Sequence, residues 1–105
     1  LNAPLIMVLG HEACGAVDAT INSLKDNTTL PGHLPSLVAS LAPAVKAVEG
    51  KPGDALANAI RQNVALNVQK LKGATPILNA AVEQGKLRIV GGIYRLADGH
   101  VEVMA

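Results

Sequence analysis

PLIMVLGHEACGAVDA, residues 4–19, decides how the rest of this chain is read. Leu5 to Leu9 are uninterrupted apolar residues, and Gly10 ends the run. A short apolar run closed by glycine reads as a buried parallel strand rather than a helix. Beyond it, CGAVDATINSLK places Cys14, Val17, Ile21 and Leu24 at helical spacing. Strand, glycine turn and helix make the first part of an α/β unit.

Downstream, DNTTLPGHLP is dense in turn formers and reads as a loop. SLVASLA then carries Leu37, Val38 and Leu41 on one face. Pro43 is poorly suited to a helix interior, so it is expected to open a second segment, PAVKAV. EGKPGD is the next break, and Asp54 is a suitable N-cap. The following helix has a stripe of Leu56, Ile60, Val64, Val68 and Leu71 and ends at Gly73. Pro76 starts a shorter helix, closed by Gly85. KLRIVGGIYRL reads as a strand, with Gly91 and Gly92 marking a bulge or a close approach. The Asp-Gly turn in ADGH returns the chain into VEVM, the second strand of a hairpin.

The order implies an α/β fold: a small mixed, mainly parallel sheet flanked by helices and ending in an antiparallel hairpin. The strand at 87–96 should run parallel to the strand at 5–9.

Composition narrows the partners. The 105 residues suffice for one domain with a modest core. A formal net charge of +1 gives no electrostatic reason to propose nucleic acid or an anionic membrane. A membrane span needs about 20 apolar residues, and no run approaches that. The N-terminus has no signal-peptide pattern, and it begins at Leu1, so a processed chain or part of a longer product is expected. One cysteine cannot close an internal disulfide, so the compartment is not readable; a soluble protein of the cytoplasm or the periplasm fits equally. Charged residues are 16% of the chain, below the roughly 25% of ordinary domains, and hydrophobic residues are 50%. That balance favours burial against other surfaces, hence a homo-oligomer or a piece of a larger unit.

The chemistry concentrates in His11 and Cys14. One residue past the strand and one helical turn onward, both can face the carboxyl end of the sheet, where open α/β folds bind ligands. A helix N-terminus favours thiolate, and zinc accepts imidazole and thiolate together. Gly15 leaves room for a close approach. The bland reading is a chance pair with a cysteine acting as a small hydrophobe. The pair is also too few, since a catalytic zinc takes about three protein ligands. His33 in a Pro-Gly loop and His100 in a hairpin turn read as exposed, and Asp18 as a solvated helix residue. A thiolate–imidazole nucleophile made of Cys14 and His11 is a weaker reading than metal binding.

The motif Gly10-His11-x-x-Cys14-Gly15 at the end of an apolar strand resembles the second zinc-binding motif of β-class carbonic anhydrases. LPGHLPSLVASLAPAVKAV (residues 30–48) is similar to the helical segment that follows in many members. NVALNVQKLKGATPILNAAVEQGKLRIVGGIYRLADGHVEVM (residues 63–104) is similar to the family's ending. The resemblance implies that residues 1–105 are a single domain, the C-terminal part of a β-carbonic-anhydrase domain, with an incomplete version of that fold. It implies zinc-dependent, reversible hydration of carbon dioxide to bicarbonate by the parent enzyme, which is a dimer or larger. In the family, zinc is held by a cysteine, a histidine and a second cysteine; His11 and Cys14 match the last two. The first lies in an upstream Cys-x-Asp-Ser-Arg motif, which this sequence does not contain. The chain itself then holds no catalytic residue and no other cofactor-binding residue, and by itself it should be inactive. The missing neighbour strand should leave the strand at 5–9 with an unpaired apolar edge. Two rival readings stand beside this one: a metal-free scaffold or interaction domain, and a hydrolase of carbon disulfide or carbonyl sulfide.

Overall fold

The computed structural model describes residues 2–104. The elements in chain order are β1 (Leu5–His11), α1 (Gly15–Asp26), α2 (Leu34–Ala47), α3 (Ala55–Lys72), α4 (Leu78–Glu83), β2 (Arg88–Tyr94) and β3 (Val101–Met104). The chain divides into two compact units. One comprises the chain up to Gly10 together with Val64 onward; the other is His11–Asn63.

In the His11–Asn63 unit, α1 packs on α2. Helix α1 buries Val17 and Thr20, residues three apart on one face. The Thr20 hydroxyl, fully buried, donates to the Ala16 carbonyl at 2.8 Å, so no polar group is stranded. Asn27 ends the helix in the left-handed conformation (φ 53°), its N–H bonding the Ser23 carbonyl. Helix α2 buries Leu41, Ala44 and Val45.

Pro43 does not divide this segment: α2 is one helix of 14 residues with Pro43 inside it. The reason is where the proline sits. Pro43 and Ala39, whose carbonyl loses its i+4 donor, are both exposed, so water can take the missing hydrogen bond. The buried stripe runs past the proline on the opposite side and holds both halves in place. Helix α3 opens as the sequence implies: the Asp54 carboxylate accepts from the Ala57 N–H at 3.0 Å.

In the other unit, the sheet order is β1-β2-β3. Arg88 N–H donates to the Pro4 carbonyl, joining the starts of β1 and β2, and Met7 faces Gly92. Both contacts require β1 and β2 to run the same way. β2 and β3 are antiparallel, with Gly91 opposite Met104 and Tyr94 opposite Val101. The turn between them is closed by Arg95 N–H to the His100 carbonyl and by Gly99 N–H to the Arg95 carbonyl. Gly99 has φ +69°, the left-handed position that an Asp-Gly turn supplies. Arg95 and Glu102 form an ion pair across the hairpin.

Alternation along β2 gives the sheet two unlike faces. Ile89, Gly91 and Ile93 are buried toward α3, whose Val64 and Val68 lie directly over Gly91. Gly92 lies on the opposite face with Met7 and Val101. On that face the expected buried strand is not buried: Leu5, Met7 and Leu9 are 53%, 40% and 53% exposed, and Val103 is 63% exposed. A strand reads as fully buried only when helices cover both sides of its sheet, and within this unit the Met7 face is open. β1 is also an edge strand, as the unpaired-edge expectation requires.

Candidate metal centre

His11 is the last residue of β1 and is exposed. Cys14 is half-buried and is the N-cap of α1, one position before the helical turn in which the sequence places it. Its carbonyl accepts the Asp18 N–H at 3.0 Å, the first bond of the helix, while its side chain makes no capping bond. The thiol is therefore not committed to the backbone. A Cβ built on Gly15 meets nothing within 4 Å, so the space at the start of α1 is open to a ligand.

Between the two residues the chain turns through Ala13, which has φ +53°. Left-handed backbone costs a residue with a Cβ roughly 1–2 kcal/mol, and such strain concentrates at functional sites. Nδ1 of His11 lies 2.9 Å from the Glu12 carbonyl oxygen. A carbonyl can only accept, so this contact is a hydrogen bond when Nδ1 carries the proton, and in the neutral ring that tautomer leaves the lone pair on Nε2. A neutral imidazole with a free Nε2 is the form that binds a metal.

Of the other sequence candidates, His33 is the exposed N-cap of α2. His100 is exposed in the hairpin turn, its backbone N–H bonded to the Asp98 carboxylate. Asp18 is exposed in the first turn of α1. Among the described residues, no three His, Cys, Asp or Glu side chains form a group that would hold a metal. The donor types at His11 and Cys14 suit zinc; their number leaves the rest of a coordination shell to be supplied from elsewhere. The left-handed turn at Ala13 and the Glu12 carbonyl were not among the sequence candidates. Alanine does not signal a positive φ, and a backbone carbonyl has no sequence signature.

The fold is that of the β-class carbonic anhydrases. It superposes on the structure of the β-carbonic anhydrase CcaA with a TM-score of 0.73 and 24% identity, covering 97% of this chain and 51% of that one. It superposes on one of two tetrameric β-carbonic anhydrases from Sordaria macrospora with a TM-score of 0.79 and 18% identity, covering 98% and 53%. In sequence, the carbonic anhydrase family pattern matches residues 1–101. The chain is 33% identical over 99 residues to carbonic anhydrase 2 of Mycobacterium tuberculosis, which covers 94% of this chain and 48% of the relative. It is 34% identical over 104 residues to a carbonic anhydrase of Mycolicibacterium smegmatis, covering 98% and 50%. The chain belongs to the carbonic anhydrase family, matching the C-terminal portion of its β class. It spans about half the length of the curated relatives that it matches.

Proposed function

We propose that this chain is the C-terminal part of a single β-carbonic-anhydrase domain, and that His11 and Cys14 are two of its zinc ligands. The enzyme containing it hydrates carbon dioxide reversibly to bicarbonate. The observation carrying this reading is the family match over residues 1–101, joined to an imidazole and an uncapped thiol at one strand–helix junction. Zinc in such a site lowers the pKa of bound water to about 7 and makes it a nucleophile at neutral pH. The chain's own part is narrower. β1 and α1 hold two donors of the right type, and the open space at Gly15 admits the ion.

Homo-oligomerisation belongs to the same proposal. The tetrameric Sordaria relative and the exposed Leu5, Leu9 and Val103 support it. Among the described residues, no helix is long and apolar enough to cross a membrane.

Cobalt(II) replaces zinc and reports a bound thiolate by an ultraviolet charge-transfer band. Titration of the chain with cobalt should develop that band, and Cys14→Ser should abolish it. A chain in which no band develops would contradict the ligand assignment. Carbon dioxide hydration by the gene product containing this chain should be zinc-dependent, while the 105-residue chain alone should show no turnover above buffer. The rival is a metal-free scaffold, favoured by the count of two donors. Cobalt binding with the thiolate band would remove it.

A further inference from the structure

The left-handed residue between the two proposed ligands has no role in the reading above. Ala13 belongs to no regular element, is not a glycine, and holds φ +53°. Its effect on its neighbours follows from the peptide plane. The Glu12 carbonyl and the Ala13 N–H lie in one rigid unit. Moving Ala13 to the right-handed region would rotate the chain by about 120° about its N–Cα bond. Two things are tied to the ends of that rotation. On one side the Glu12 carbonyl meets His11 Nδ1 at 2.9 Å. On the other, Cys14 is held in place as the N-cap of α1 by the Asp18 N–H bond to its carbonyl. With α1 anchored, a right-handed Ala13 swings the Glu12 carbonyl off the imidazole.

We infer that Ala13 is a positioning residue: its left-handed backbone aims the Glu12 carbonyl at His11 Nδ1 and so fixes the tautomer that leaves Nε2 unprotonated. Its use to a metal rests on the assignment of His11 as a ligand, but the tautomer is a property of the metal-free chain. The arrangement acts on the histidine alone. His33 and His100 serve as internal references, since among the described residues neither ring has a comparable carbonyl contact.

The test is nitrogen-15 NMR of the imidazole rings in the metal-free chain, above the pH range where imidazole titrates. Wild-type His11 should be protonated at Nδ1. Ala13→Gly and Ala13→Asn, both tolerant of positive φ, should keep that tautomer. Ala13→Val, whose branched Cβ disfavours positive φ, should shift His11 toward protonation at Nε2 and leave His33 and His100 unchanged. A wild-type His11 protonated at Nε2 overturns the inference, and so does a folded Ala13→Val chain that keeps the Nδ1 proton. If Ala13→Val does not fold, the wild-type tautomer and its retention in Ala13→Gly and Ala13→Asn decide the matter. Cobalt alone is the second probe. Its dissociation constant should rise about tenfold in Ala13→Val and stay unchanged in Ala13→Gly, in line with the loss of a bond that orients a ligand. A wild-type chain with the Nδ1 tautomer but no thiolate–cobalt band would refute the ligand assignment and leave the positioning inference standing.

Discussion

Gly91→Ala should destabilise the chain by about 1–2 kcal/mol, although it adds one methyl group to a strand. A Cβ at this position would lie 2.6 Å from Cγ1 of Val64, 3.4 Å from Cγ2 of Val68 and 3.7 Å from Cβ of Met104. Carbon atoms pack at about 3.5–4.0 Å, so helix and sheet must separate locally by about 1 Å. Val64 cannot rotate aside, because it is 3% exposed and a β-branched residue in a helix has one strongly preferred rotamer. Overpacking of this kind costs about 1–3 kcal/mol. Replacing a strand glycine by alanine returns about 0.5–1 kcal/mol of backbone entropy. The midpoint of thermal unfolding should therefore fall by about 5–10 °C. Circular dichroism melts and urea titrations would measure it, with Gly15→Ala as control, since a Cβ there meets nothing within 4 Å. Val64→Ala removes the colliding methyl, so a double-mutant cycle should show a coupling of about 1 kcal/mol or more. A Gly91→Ala chain that melts with the wild type, or two mutations whose costs simply add, would refute the close approach of α3 to β2.

Asp54→Ala should cost about 0.5–2 kcal/mol, because it removes the acceptor of the Ala57 N–H, while Asp54→Asn should keep most of the stability; urea midpoints would show a full loss in the Asn variant if the cap were not the cause. Leu9→Lys replaces a side chain that is 53% exposed on the uncovered sheet face. It should change stability by no more than about 0.5 kcal/mol yet lower the light scattering of concentrated solutions, as charge on an edge strand does; unchanged scattering would place the self-association surface elsewhere.

Much of the architecture is legible in the residues because local signals agree with the fold. The stripe of α3, its Asp54 cap, the left-handed Gly85 and the Asp-Gly turn before β3 each act over a few residues, and each is present. Pro43 misleads because its local effect is real but its surroundings absorb it. Ala39, whose carbonyl is freed, is an exposed residue, and the buried residues Leu41, Ala44 and Val45 keep the helix continuous. The strand at 5–9 is recognised as a strand, but an apolar run cannot state whether both of its faces are covered.

The candidate centre divides along the same line. By itself the sequence determined which donors exist: one histidine and the only cysteine, three residues apart at a strand–helix junction, in a chain of the carbonic anhydrase family. Residue type and spacing are local facts, and a chain carries them whether folded or not. The tertiary structure alone decided how those donors are presented. It set the positive φ at Ala13, the carbonyl that meets His11 Nδ1, the open space at Gly15, and a sheet with α3 against one face and exposed Leu5, Leu9 and Val103 on the other. Backbone dihedrals, the direction of a carbonyl and the covering of a sheet face are properties of the folded chain, and residue types and their spacing do not state them.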